Sequence, residues 1–233
     1  MTVDTPEKTS ELLGLVRTIL DKQDTWREHC LNLIASENVL SPAARNVLDS
    51  DLLHRYAEGH PGVRYYEGTR FVDEVETLAT ETMKRIFRTT YADVRPISGT
   101  VANEAVFSKL VPQGAPAIAH TVASGGHISH AKIGSLGKRT KNIMPWPMTA
   151  DGWRIDPAAA KDLIIAEKPP LVVVGRSLFL FPEPVAQIRE ACDEIGSHIF
   201  FDGAHVLGLI CGGEFQDPLR EGADVLAGST HKT

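Results

Sequence analysis

Leu171-Val172-Val173-Val174-Gly175 is an unbroken apolar run, and His198-Ile199-Phe200-Phe201-Asp202 is a second one a helix-length later. Neither alternates with polar residues, so both read as strands buried on two faces, the pattern of a parallel sheet. Pro184 to Ile195 between them reads as a helix, which makes a β-α-β unit. The same alternation extends outward. Ala115 to Ala119 and Asn142 to Trp146 read as strands, and Asp156-Pro157 caps a helix running to Glu167. Downstream, Ala223 to Gly228 is a last short strand. Upstream, Val72 to Phe87 is amphipathic, with acidic residues early and Lys84-Arg85 late, as the helix dipole favours. A helix runs from Ser98-Gly99-Thr100 to about Leu110, and another from Ala43 to Leu53 after Ser41-Pro42. Thr5-Pro6 reads as cap and first turn of a helix to His29, whose stripe of Leu12, Leu13, Val16, Ile19 and Leu20 has no obvious local partner. The expected fold is α/β, a mostly parallel (mixed) sheet with helices on both faces, preceded by an N-terminal helical arm.

The chain has 233 residues, 42% hydrophobic and 23% charged, with a formal net charge of −6. That is ordinary globular composition. The acidic balance argues against nucleic acid or an anionic membrane as partner. The first eight residues are polar and lack the apolar stretch of a signal peptide, and no run is long enough to span a bilayer. Cys30, Cys192 and Cys211 are few, scattered and odd in number, which suggests neither a disulfide framework nor a zinc site. A reducing, cytoplasmic location is expected.

Chemistry collects where strands and helices end. Ser229-Thr230-His231-Lys232-Thr233 follows the last strand, and open α/β sheets hold ligands at such ends. A lysine there is an ordinary solvated cation or, partly desolvated, an amine nucleophile. Ser98-Gly99-Thr100 is a plain helix cap or an anion cradle built from backbone N–H groups and hydroxyls. Ser124-Gly125-Gly126-His127 places a ring on a turn after a strand, suited to stacking on a flat ligand. His127 and His130 invite a metal, but two histidines without a third ligand make a poor site, and no metal is expected. Gly134 to Thr140 imitates a phosphate-binding loop at too short a spacing. Tyr56 to Gly68 holds four breakers, three tyrosines, two carboxylates and an arginine. It is either a subunit-contact loop or a source of acid/base groups, with Glu58, Tyr56 and Tyr66 as candidates. Asp202 ends a strand and His205 follows it. An anion cradle, a stacking ring, a carboxylate for a pyridine nitrogen and a lysine able to form a Schiff base together suit pyridoxal 5'-phosphate (PLP).

Five stretches also carry a resemblance: Asn32 to Asn38, Tyr56 to Tyr66, Ser124 to His127, Asp202 to Gly208, and Ser229 to Thr233. The chain resembles the serine hydroxymethyltransferase family from about residue 10 to its end. Gly175 to Pro182 and Gln216 to Arg220 look like the archaeal-type branch. The resemblance implies the large domain of a fold-type I PLP-dependent transferase, with residues 1–55 as helical arm and 56–233 as an incomplete PLP-binding domain. It implies Lys232 as covalent attachment point, Asp202 on the ring nitrogen, His205 near the ring hydroxyl, His127 on the ring face and Ser177 lining the pocket. Ser98, Gly99 and Thr100 would hold the phosphate, Ser36 the substrate carboxylate, and His231 would flank the lysine. Tyr56 and Glu58 would enter a neighbouring subunit's site in a homodimer or homotetramer, Glu58 as the main acid/base group, with Tyr65 and Tyr66 near substrate and folate. The implied reaction breaks the Cα–Cβ bond of serine in retro-aldol fashion and passes one carbon to tetrahydrofolate. A folate-independent threonine aldolase or transaldolase, or an α-methylserine variant, shares these motifs. Family members continue beyond the lysine into a small C-terminal domain bearing a carboxylate-binding arginine, so this chain is expected to be a fragment, inactive alone.

Overall fold

The computed structural model describes residues 6–178 and 180–232. They form two compact units, Met1–Glu37 and Asn38–Thr233. In the first, helix α1 spans Pro6–Glu28. Its proposed cap, Thr5, lies outside the described residues. Leu12, Leu13, Val16, Ile19 and Leu20 are exposed, as the unpartnered stripe implies. After the helix, Glu37 collects Arg27 Nη2 at 2.8 Å and Asn32 Nδ2 at 2.7 Å, which fixes the turn carrying Ser36.

The second unit contains helix α2 (Pro42–Leu48), a two-stranded hairpin β1 (Gly59–His60) and β2 (Val63–Arg64), and helices α3 (Arg70–Phe87) and α4 (Gly99–Leu110). It continues through β3 (Ala117–Ala119), α5 (Leu136–Arg139), β4 (Ile143–Pro145), α6 (Pro157–Glu167), β5 (Leu171–Val174) and α7 (Val185–Ile195). Strand β6 (His198–Asp202), α8 (Leu207–Gly212) and β7 (Val225–Ala227) complete it. Strands β3 to β7 form one sheet in the order β4-β3-β5-β6-β7. Every pairing in it is parallel, in keeping with the mostly parallel sheet expected from the apolar strands.

Alternation along these strands splits the core into two layers. Ala117, Ala119, Leu171, Val173 and Phe200 pack with Phe107 and Val111 from α4 and its end, and with Leu136 of α5. Ile118, Val172, Val174, Ile199 and Phe201 face the other way, onto Ala160 and Ile164 of α6 and Ile188, Ala191 and Cys192 of α7. This is why the central strands are apolar throughout: each has helices on both sides. Cys192 is sealed in that second layer, and burial pushes its thiol up to about 11, which makes it a packing residue.

The helix expected to reach Leu53 stops at Leu48, because Asp49 leaves helical geometry and Ser50 is extended; a 3-10 turn over Asp51–His54 follows. Among the described residues, no helix is long and apolar enough to cross a membrane.

Candidate active site

The chain reverses direction across the sheet at β3. It steps to β4 on one side, then returns to β5 on the other. In open α/β sheets such a switch point opens a crevice beyond the carboxyl ends of the strands. The segments leaving β3 and β5 are tied there by the Ser177 N–H donating to Gly125 O at 2.8 Å. Gly175, at φ +89°, lets β5 turn off against β6: a Cβ there would lie 2.2 Å from Asp202 O.

A cavity of about 180 Å³ opens at this place. It is lined by the start of α4 (Ser98, Gly99, Thr100, Asn103), by His127, by Arg176 and Ser177, by Asp202, Ala204 and His205, and by Ser229, His231 and Lys232. Eight positions singled out from sequence for PLP or its attachment thus share one space, together with His231. Among the described residues, no cluster of His, Cys, Asp or Glu could hold a metal ion.

The α4 end of the cavity is an anion site in design. Ser98 Oγ accepts from the Val101 N–H at 3.1 Å, which caps the helix and leaves the hydroxyl proton to donate outward. The Gly99 and Thr100 N–H groups lie in the first turn, where helix geometry supplies no acceptor. A Cβ on Gly99 would fall 3.0 Å from Ser229 Oγ, tighter than an ordinary contact, so glycine suits the close approach of these two segments. The helix dipole adds a positive field.

Asp202 lines the same cavity and is 5% exposed. Its Oδ2 accepts from Asn103 Nδ2 at 2.8 Å and from His130 Nε2 at 2.9 Å, while Oδ1 accepts from the Ala204 N–H at 3.1 Å. Burial alone pushes this carboxyl up. The bond and electrostatic attraction of His130, then the Asn103 and Ala204 bonds, outweigh it and bring the pKa from 3.8 to about 2. A carboxylate depressed on folding stabilises the native state above its ordinary pKa and loses that contribution as pH falls. Acid unfolding of the apoprotein is therefore expected to include a component between pH 3.8 and about 2 that Asp202→Asn abolishes. Chemical denaturation at stepped pH reads it, and an unchanged acid slope in the variant would contradict it.

The histidines are held neutral. Burial, foremost, lowers His127, and its Nδ1 accepts from the Ser129 N–H at 3.2 Å, so the ring is an uncharged plate with a fixed tautomer. Burial and then the Lys232 charge lower His205, whose Nε2 lies 3.4 Å from Lys232 Nζ. Lys232 is half-buried, and His231 beside it is exposed.

These residues fit PLP: donors for a phosphate, a charged carboxylate for a pyridinium nitrogen, a neutral ring for a face and an amine within one cavity. A family model described as serine hydroxymethyltransferase matches residues 11–233. A serine hydroxymethyltransferase of Methanothermobacter thermautotrophicus is 51% identical over 218 residues, covering 94% of this chain and 52% of that protein. Those of Methanocella arvoryzae and Thermococcus kodakarensis are 52% and 46% identical, again covering 94% and 97% of this chain and 52% of each relative. The chain belongs to the serine hydroxymethyltransferase family. It spans about half the length of these relatives, and their archaeal sources agree with the branch indicated by the Gly175 and Gln216 segments.

Not every expected residue of this family reaches the cavity. Tyr56, Glu58, Tyr65 and Tyr66 are absent from its lining. They sit on the 56–68 segment, where Glu58 is exposed and accepts from Tyr66 Oη at 3.4 Å, and Tyr56 and Tyr66 stack at a tilted 6.0 Å. The segment is less irregular than its breakers suggest. Gly59 takes φ +104°, closing the β1–β2 hairpin to a distance at which a Cβ would meet Val63 O at 2.7 Å. Arg64 pins it from beneath, donating to Asp73, Glu76 and the carbonyls of Ala57 and Gly59. Ser36 belongs to the other unit.

Asn103, His130 and Ser229 join the site without a sequence signal that named them for it. Arg176 is also new. Its guanidinium donates to Glu183 Oε1 at 2.8 Å, Trp153 O at 2.8 Å and Ser124 O at 3.2 Å, and Glu183 also holds His120 Nε2 at 3.1 Å. Both partners are nearly fully buried, at 5% and 3% exposed. Arg176 thus staples the Ser177 segment to the Ser124-Gly125 turn and the 153 loop. Arg176→Met leaves Glu183 buried with its charge uncompensated, an expected loss of about 3–5 kcal/mol in unfolding free energy. Arg176→Met/Glu183→Gln should recover a large share of it, and a double variant as weak as the single would refute the pairing.

Proposed function

We propose that this chain is the cofactor-binding half of a PLP-dependent enzyme that moves a hydroxymethyl group between serine and tetrahydrofolate, releasing glycine. The single observation carrying this reading is the convergence of Lys232, Asp202, His127 and the α4 start on one cavity at the switch point. The shared family and the names of the relatives support the reaction. A small C-terminal domain and a carboxylate-binding arginine would complete the site in the full-length protein.

The bound cofactor would supply an electron sink for the carbanion left at Cα. The protein's residues do the rest. Lys232 Nζ would be the amine that holds the cofactor covalently and yields its place to the substrate amine. Asp202 would hold a proton at the ring nitrogen, the condition for an effective sink. Ser98, Gly99, Thr100 and Ser229 would hold the phosphate. His127 would cover one ring face and exclude water, Ser177 lines the pocket, and His205 would stand by the ring hydroxyl. His231 borders the lysine. Glu58 takes the serine hydroxyl proton as the Cα–Cβ bond breaks, and the one-carbon unit leaves for tetrahydrofolate. Tyr56, Tyr65, Tyr66 and Ser36 would orient substrate and folate. Because the Glu58 hairpin does not line the cavity of its own chain, we assign it to the cavity of a second subunit in a homodimer or homotetramer. The exposed apolar residues Phe71, Val75 and Leu78 on α3 fit such an assembly.

Serine cleavage by the full-length protein should require tetrahydrofolate for turnover at full rate. Release of acetaldehyde from threonine as the dominant activity, unaffected by folate, would instead assign it to the aldolases.

A further inference from the structure

We propose that Asn103 and His130 are positioning residues that saturate one oxygen of Asp202 and thereby turn its other oxygen toward the cofactor's ring nitrogen. This rests on the PLP reading above. Oδ2 receives both Asn103 Nδ2 at 2.8 Å and His130 Nε2 at 2.9 Å. Oδ1 receives one bond, from the Ala204 N–H. A carboxylate has about four acceptor directions, so the open one nearest need lies on Oδ1.

The orientation of both donors is forced. Asn103 spends its two amide hydrogens on Asp202 and on Ser129 Oγ, at 2.9 Å. Flipping the amide would set oxygen against oxygen. His130 presents Nε2–H to Asp202 in either protonation state. The other ends of both side chains, Asn103 Oδ1 and His130 Nδ1, are buried without a hydrogen-bond partner among the described residues. Packing alone would not retain such orphans, because leucine and phenylalanine would fill the same space without them. His130 already sits edge-on to Phe107 at 6.0 Å, a contact a phenyl ring would keep.

Helix α4 links the two ends of the site. Thr100 and Asn103 lie three residues apart and so share a face. Its first turn holds the anion cradle, and one turn later it grips Asp202. A single rigid helix thus sets the separation between phosphate and ring-nitrogen subsites.

The test uses the full-length apoprotein and three variants, His130→Phe, His130→Gln and Asn103→Leu. PLP affinity is read by fluorescence titration, and ring-nitrogen protonation by the shift of ¹⁵N-labelled PLP. His130→Phe and Asn103→Leu should each weaken PLP by about 10- to 100-fold, the worth of a hydrogen bond to a charged group, and move the ¹⁵N signal toward the unprotonated value. His130→Gln restores an N–H donor and should recover most of both. Apoprotein melting should fall in His130→Phe, because buried Asp202 loses a bond to its charge, so PLP affinity is compared at a temperature where every variant is folded. Variants that bind PLP like wild type with an unshifted signal overturn this inference alone, as does a His130→Gln no better than His130→Phe. Should one apolar variant fail to fold, the other decides by the same criteria. Wild-type protein that fails to bind PLP overturns the underlying reading as well.

Discussion

Asp202→Asn in the full-length protein is expected to lower kcat by about 10²–10³-fold, the scale seen when one preorganised electrostatic contact to developing charge is removed. The side chains have the same shape, so the fold should survive. Asparagine has one acceptor oxygen where aspartate has two. That oxygen is claimed by the Asn103 and His130 donors that now bind Oδ2. The amide NH₂ then faces the cavity and donates to a ring nitrogen, which stabilises that nitrogen unprotonated. The electron sink is weakened while the phosphate cradle and Lys232 stay intact. The loss should therefore appear in kcat far more than in KM for serine, measured by steady-state kinetics with PLP saturating. A variant retaining more than a tenth of wild-type kcat would mean that Asp202 does not serve the ring nitrogen.

Glu58→Gln should cost about 10²–10⁴-fold in kcat, the range of a general acid/base group. The glutamine keeps the hairpin's size and its contact with Tyr66 but cannot take a proton. A sharper consequence follows from the position of Glu58 on a hairpin that does not line its own chain's cavity. Equal amounts of Glu58→Gln and Lys232→Ala subunits, each inactive alone, should exchange into hybrid dimers with one fully wild-type site. Random mixing gives about a quarter of wild-type activity, because half the dimers are hybrids with one good site of two. A mixture as inactive as its components would place Glu58 in its own subunit's site, and a Glu58→Gln protein active alone would place it outside the chemistry.

The parts of this molecule that were legible in its sequence are those with local causes. Strands β5 and β6 announce themselves because helices cover both their faces and leave no polar alternation. The α4 cap, Lys232 and Asp202 are visible because each stands at the end of an element. The 56–68 hairpin was hidden because its strands are two residues long and its order comes from Arg64, whose carboxylate partners lie on α3. Asn103 and His130 were hidden for a different reason. They meet Asp202 across 99 and 72 residues of chain, so no spacing pattern relates them. His130 drew notice only as half of a histidine pair, and its real partner is the carboxylate at the end of β6. Arg176 shows the same limit: nothing in its sequence neighbourhood explains it until Glu183 and two carbonyls are found around it.

The central claim is that Lys232 is the residue that binds the cofactor covalently. Borohydride reduction of the full-length protein after incubation with PLP, followed by peptide mapping, tests it directly. The expected result is one reduced pyridoxyl group per chain, on the peptide containing Ser229-Thr230-His231-Lys232, and none in Lys232→Ala. Label on any other lysine, or a variant labelled as fully as wild type, would contradict the account.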